Sequence, residues 1–505
     1  MRTALFLLLL LAVAAVPGSL VPQTSADPNG VAQYKIDHPE LYPILKNLQV
    51  FDTYTSVWFS AIYLLLFVSL IGCVIPRTKH HLDALRAQPP RTPARLNRMN
   101  GFRAVTLSTG VVPDIVHSAR GILKSSGYRV VTLENRGEAS VSAERGYLRE
   151  TGNLVFHIAL LGVLLAVGVG GGFGFVGQRV VTTGQTFVNT LVNYDSFNPG
   201  RFVDTNTLSP YSIRVDSLDV AYEQSNSDAR GEPLDYTAHV TATTPGGKAE
   251  KRIIKVNEPL EIGGTSVYLL GNGYAPVVTI RNANGDIVFR DATPFLPQDS
   301  NLTSQGVIKV PDGLSKQLGI IGIFRPTAAK TMANGPISTY PGLENPKLSL
   351  TIFSGDLGLD KGAPVSVYAL NVNKLTQIAG PTASSPGLDL KPGETAQLPN
   401  GLGSVTFDGV KRFASLDVHH DPTKTWVLIF AICILGGLLT SLFVPRRRMW
   451  VKAIEQPDGG IRVEYAGLAR GDDPGLDAAV DALAAKHLTL LEPHPTQSSA
   501  AETKA

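Results

Sequence analysis

The sequence has 505 residues, 44% of them hydrophobic, with a formal net charge of +3 and only two cysteines. The apolar share is gathered into four runs rather than spread evenly, which excludes an ordinary soluble globular chain. No basic patch is interleaved with aromatic residues, so the charge gives no support to nucleic-acid binding.

The first run, assigned residues 3–21, begins with Met1-Arg2-Thr3 followed by ALFLLLLLAVAAV. That pattern fits a retained membrane helix and a cleaved secretory signal alike, and the two readings differ by one span. A helix that starts at Thr3 leaves almost no cytoplasmic anchor, which points to a start upstream of Met1; N-terminal sequencing of the native protein tests this. A short loop, 22–52, follows. The next runs, Thr53 to Pro76, Asn153 to Val176 and Trp426 to Val444, contain no Asp, Glu, Lys or Arg. At 1.5 Å per residue each is long enough to cross a hydrocarbon layer of roughly 30 Å. The expected spans are therefore 3–21, 53–76, 153–176 and 424–445.

Charge sets the orientation. Residues 77–152 hold 13 Lys/Arg against 6 Asp/Glu, whereas 22–52 hold 2 against 4. The former is expected in the cytoplasm, and Arg446-Arg447-Arg448 after the last run agrees. The chain is thus expected to be a multi-pass protein of the cell membrane with both termini cytoplasmic. Within 77–152, QPPRTPARLNRM is a basic, proline-broken linker. The helix-like VPDIVHSARGILKSSG and strand-like YRVVTLEN after it suggest a small α+β unit at the membrane surface.

Residues 177–423 form the expected extracytoplasmic domain. YSIRVDSLDVAYE, DYTAHVTATT, KRIIKV, TSVYLLGN and PVVTIRNANGDIVFRD largely alternate apolar and polar residues, with turns such as Asn284-Gly285 and Pro245-Gly246-Gly247. This is the pattern of an antiparallel β-sandwich or barrel-like unit. From Leu296 to Gly401 the chain is rich in Gly, Pro and Ser, with weaker strands in KLSLTIFSG and APVSVYALNV, and reads as a loop-heavy continuation. The tail, 446–505, offers one strand, IRVEYAGL, one helix, GLDAAVDALAAKHL, and a disordered end.

Chemistry-bearing motifs are sparse. Cys73 and Cys433 lie in predicted spans and no CxxC occurs, so the external domain has no disulfide and the chain offers no CxxC pair for dithiol exchange. No G-x-S-x-G elbow, phosphate-binding G-x-x-x-x-G-K-[ST] loop or H-E-x-x-H helix is present. The run GVGGGFGF lacks the lysine of a phosphate loop and reads as a close-packing or flexible helix exit.

Of the ten histidines, His157 alone falls inside a predicted span, about one turn from Asn153. An ionisable residue there is costly unless paired or functional. Neutral imidazole is a strong ligand for haem iron; a hydrogen bond to a neighbouring helix is the plainer role. His419-His420-Asp421 is expected in a solvated loop, because neighbours on a strand face opposite ways. His80-His81 are assigned to orientation or headgroup contact. His38, His117, His239, His487 and His494 show no partner pattern.

Five strings carry a resemblance: AVPGSLVPQ, RTPARLNR, AERGYLRETGNLVFHIALLGVLL, IKVNEPLEIGGTSVYLLGNGYAP and GGLLTSLFVPRRRMW. In this order, and to about Trp450, the chain resembles the ResB family of system II cytochrome c maturation proteins. The resemblance implies that the first helix is retained, giving four transmembrane helices, a large extracytoplasmic β-rich domain and a small cytoplasmic α+β segment. It also implies a ResC/CcsA-like multi-spanning partner with a tryptophan-rich haem-handling motif, delivery of haem across the membrane, and its attachment to apocytochrome c. A thioredoxin-like reductant is a further implied partner. With Trp58, Trp426 and Trp450 as its only tryptophans, the chain would be the non-catalytic subunit of such a haem-lyase complex. The family's proposed transmembrane haem ligand falls on His157; no catalytic residue and no separate metal site are implied. Two other classes stay open at this point: a sensor whose β domain binds a ligand, although no kinase, cyclase or DNA-binding pattern appears, and a membrane enzyme, although no nucleophile signature or paired intramembrane carboxylates occur.

Overall fold

Charge-free apolar runs have nowhere to lose backbone polarity except into their own hydrogen bonds, and all four are helical. A computed structural model describes residues 2–135, 137–226, 228–329, 337–359 and 368–491. The helices are α1 (Arg2–Leu20), α2 (Pro28–Asp37), α3 (Leu41–Asn47), α4 (Val57–Arg86), α5 (Val112–Ser125), α6 (Leu148–Phe173), α7 (Lys424–Phe443) and α8 (Leu476–Leu491). Three of them, α4, α6 and α7, are long and apolar enough to cross a membrane. Leu64, Leu65, Val68, Leu165, Val167, Ile432 and Leu435 on these helices are exposed. In water that would be an untenable apolar surface, and it marks a membrane protein. The apolar part of α1, Leu5–Leu20, is shorter, so the expectation of four spans is met by length in three.

The helix bounds also shift. The helix expected over 53–76 starts at Val57 and continues to Arg86, and the one expected from Asn153 starts at Leu148. Between α1 and α4 the short loop holds α2 and α3 and is latched by Gln23. Its amide donates to the carbonyls of Val21 (3.1 Å) and Val50 (3.0 Å) and accepts from the Thr53 N–H (3.1 Å).

The chain divides into two compact units, 1–168 with 423–505, and 169–422. Besides the helices, the first unit contains one five-stranded antiparallel sheet. Its order is Asn100–Leu107, Ile461–Ala469, Arg447–Glu455, Glu138–Arg145, Arg129–Asn135. The basic segment and the tail, separate in the sequence reading, are therefore one α+β structure. Its central strand, Arg447–Glu455, is contributed by residues that the sequence presents as a positive flank. α5 has Val112, Ile115, Val116, Ala119, Ile122 and Leu123 on one buried face, the helical period of an amphipathic segment. They pack with Val141, Val451, Val463 and Val480.

The second unit is all β, in sheets of seven, six and four strands. Two 17-residue strands, Thr265–Arg281 and Ser404–His420, pair antiparallel from Ser266↔His419 to Arg281↔Ser404. One half of this ribbon, with Val267, Leu269, Leu416 and Val418, joins a core with Ile213, Val240 and Ile254. The other half, with Val278, Ile280, Val405 and Phe407, joins a second core with Ile308, Ile320, Phe324 and Leu350. The stretch Leu296 to Gly401, expected to be loop-heavy, thus holds a six-stranded sheet that shares a core with the ribbon. Its glycines are packing positions: Gly306 and Gly322 are paired in register, and a Cβ on either would run into the Phe295 ring at 2.1 and 2.6 Å. Of the expected strand in APVSVYALNV, 363–367 lie outside the described residues and 368–372 form no strand; the expected disordered end lies outside the described residues.

Candidate functional site

α4 continues ten residues past Pro76, so Arg77, His80, His81 and Ala84 recur at i, i+3, i+4, i+7 and share one helix face. On α6, Glu150, Asn153, Leu154 and His157 have the same spacing. These two stripes, with Arg149, Ser441, Arg446 and Arg470, line a cavity of about 460 Å³. That is within the range of small-molecule sites, roughly 300–1,000 Å³.

His157 is half-buried. Its Nδ1 lies 2.7 Å from the Asn153 carbonyl oxygen, which can only accept. Nδ1 therefore carries the proton, and Nε2 keeps its lone pair. A backbone bond of this kind fixes both tautomer and ring orientation, as it does for histidines that ligate metals. Because α6 begins at Leu148, His157 sits between two and three turns into the helix, deeper than the sequence suggests.

The sequence assigns His81 to orientation, and the structure corrects this. It is 7% exposed and its Nε2 is 3.0 Å from the Thr151 hydroxyl, while Thr151 donates to the Tyr147 carbonyl at 3.3 Å. With the hydroxyl proton engaged there, Nε2–H is the donor, and Nδ1 is left as a buried acceptor with no partner among the described residues. Orphaned buried polar atoms are uncommon and mark strained or ligand-binding positions.

The polar end of the cavity is cationic. Arg77 Nη1 donates to Asn153 Oδ1 at 2.9 Å, and Arg149 donates to the Arg470 carbonyl. Arg470 and Arg446 share Glu150 at 2.7 and 3.7 Å. A neighbouring cavity of about 330 Å³ shares His80, Arg446 and Arg470 and adds Glu144 and Arg448. Glu144 is buried, which by itself would raise its pKa; the guanidinium groups of Arg448 and Arg446 outweigh burial and hold it below the usual glutamate value.

His487, His419 and His420 serve structure. His487 is fully buried; its Nε2 donates to the Ile115 carbonyl (2.9 Å), its Nδ1 accepts from Tyr465 (2.8 Å), and burial pushes its pKa down. His419 and His420 end a strand rather than occupying a loop. His419 is bonded to Asp417 at 2.7 Å, and His420 donates to the Gly264 carbonyl at 2.8 Å and stacks on Phe175. His494 lies outside the described residues. Among the described residues no three His, Cys, Asp or Glu side chains form a ready metal-ligand set. The cavity instead offers the imidazoles of His157 and His81 beside apolar residues such as Val74 and Leu154, together with the guanidinium groups of Arg77, Arg149, Arg446 and Arg470. This donor set fits a metal-centred, anionic organic molecule such as haem better than a bare ion.

The ResB-like family model matches residues 1–481. Cytochrome c biogenesis protein CcsB from Synechococcus sp. (strain WH7803) is 30% identical over 273 residues, covering 53% of this chain and 58% of its own length. The protein of that name from Synechococcus sp. (strain CC9311) is 29% identical over 273 residues, covering 53% and 57%. That from Gloeobacter violaceus is 23% identical over 401 residues, covering 73% and 78%. Against the first two, the chain spans little more than half of the relative's length. With the family model covering both membrane helices of the cavity and the whole β unit, the chain belongs to the ResB-like family.

Proposed function

We propose that the protein acts in cytochrome c biogenesis as the subunit that receives haem at a site within the membrane and supports its delivery to apocytochrome c. The observation that carries this reading is His157: a tautomer-fixed imidazole with an available Nε2, in a cavity between two apolar helices. Haem is cargo here. Neutral imidazole would ligate its iron, and the apolar walls of α4 and α6 would shield the macrocycle from water. A multi-spanning CcsA-type partner would supply a further ligand and the attachment chemistry, in which haem vinyl groups join apocytochrome thiols.

In this reading α1 is retained as a fourth span, both termini are cytoplasmic, and residues 177–423 lie on the extracytoplasmic side. Positive charge in 77–152 and after α7 supports that orientation. The β unit would be a scaffold for the partner or for apocytochrome c. Deleting the gene and staining membrane proteins for covalently bound haem tests the function. Loss of haem-stained c-type cytochromes, restored by the wild-type gene, is the expected result; unchanged staining would refute it.

A further inference from the structure

Five arginines, Arg77, Arg149, Arg446, Arg448 and Arg470, line the two adjoining cavities, against two acidic side chains, Glu144 and Glu150. Among the lining residues, arginines thus outnumber carboxylates by three. The two glutamates are each shared: Glu150 between Arg446 and Arg470, Glu144 between Arg446 and Arg448. A guanidinium presents five N–H donors in a planar fork that matches a carboxylate two-on-two. Like charges held together in one partly enclosed cavity are costly unless a further anion joins them.

A second, independent feature marks the same cavity as built for a ligand. His81, more than nine-tenths buried, lines it with Nδ1 unpartnered. Towards α6's apolar part the wall holds Leu154 and His157; towards the sheet it holds Arg149, Arg446 and Arg470. One end suits a metal in an apolar ring, the other a pair of carboxylates.

We propose that this arginine cluster binds the carboxylate edge of the tetrapyrrole, so that the site selects its cargo by side-chain charge as well as by metal. The inference rests on the haem-handling reading and adds to it the group that orients the ring, with carboxylates at the arginines and the metal at His157. Arg470 is the residue best placed to act without holding the fold; Arg77, bonded to Asn153, is the cluster's member on α4. Arg470 is 64% exposed, whereas Arg446 is buried in its pairing with Glu144.

The test uses the full chain in detergent and three probes: iron-free protoporphyrin IX, its dimethyl ester, and the dimethyl ester of haemin. Wild type is expected to bind the free acid at least about tenfold more tightly than its ester, and the double variant Arg77→Gln, Arg470→Gln to lose about tenfold or more for the acid alone. Haemin dimethyl ester, which keeps the metal and lacks the carboxylates, should bind the double variant as it binds wild type and be lost from His157→Ala. Equal affinity of acid and ester for wild type, no binding of the acid, or an unchanged double variant would overturn the proposal. If the double variant instead releases co-purified anionic phospholipid while its porphyrin affinity holds, the cluster is a lipid phosphate site and the proposal also fails. If His157→Ala leaves haemin dimethyl ester bound while the acid still requires the arginines, the iron-ligand reading falls and the carboxylate site stands.

Discussion

Gly152 and Gly437 lie back to back: a Cβ on either would come within 2.7 Å of the other's carbonyl oxygen. Two helices without side chains at the crossing can bring their backbones together, which is how membrane helices gain packing energy when lipid removes the hydrophobic drive. The same approach places Phe156, next to His157, against Gly437.

Widening that crossing should therefore disturb the site without touching it. Gly437→Ile is expected to destabilise the α6–α7 contact by about 2 kcal/mol, within the range for overpacking. It should also lower haem occupancy towards that of a His157 variant, read from the absorbance at equal protein concentration.

The central position of Arg447–Glu455 makes the tail indispensable to the five-stranded sheet. A chain ending after Phe443 removes strands Arg447–Glu455 and Ile461–Ala469 together, takes a neighbour from each of Glu138–Arg145 and Asn100–Leu107, and bares the apolar face of α5. Limited proteolysis of inverted vesicles should cut the truncated protein within 88–147, where the intact protein resists.

In the β unit, Gly306→Ala pushes a methyl into the Phe295 ring. We expect a loss of about 1–3 kcal/mol, the usual cost of overpacking a filled core. Denaturant titration of the full chain in detergent, followed by near-ultraviolet circular dichroism, measures it.

Arg325, with its side chain 2% exposed, donates to Asp389 (2.6 Å) and Ser349 (2.6 Å). Burial raises the Asp389 pKa, but Ser349, Lys347 and Arg325 outweigh it and hold the carboxyl below its ordinary value. A depressed folded-state pKa gives stability that is present above the ordinary aspartate range and lost as pH falls through the folded value, below about 4. Asp389→Asn should remove that acid-dependent difference. At neutral pH it should cost about 3 kcal/mol, the low end for a broken buried pair, because Asp389 is one-third exposed. Chemical unfolding of both proteins between pH 3 and 7 checks the sign.

The membrane helices are legible in the sequence because an apolar run of that length without a single charge fits little besides a span. The alternating strands of 211–281 are legible because one face of each is buried. The sheet within 296–401 is hidden by its glycines, which weaken a strand pattern while making room for Phe295. Strand Arg447–Glu455 is masked by its arginines, which pair with Glu144 and Asp473 instead of simply marking the cytoplasmic side. His157 stands out as an ionisable residue in an apolar run. His81 and the arginines do not, since charge next to a span reads as orientation. The i, i+3, i+4, i+7 spacing of Arg77, His80, His81 and Ala84 is the available signal once α4 is extended past Pro76.

The most direct test of haem binding at His157 is an absorption spectrum of the protein co-purified with its multi-spanning partner, as wild type and as His157→Ala. Wild type should show a haem Soret band that weakens in the variant at equal membrane abundance. An intact wild-type complex without haem, or a band of undiminished intensity in His157→Ala, would contradict the assignment.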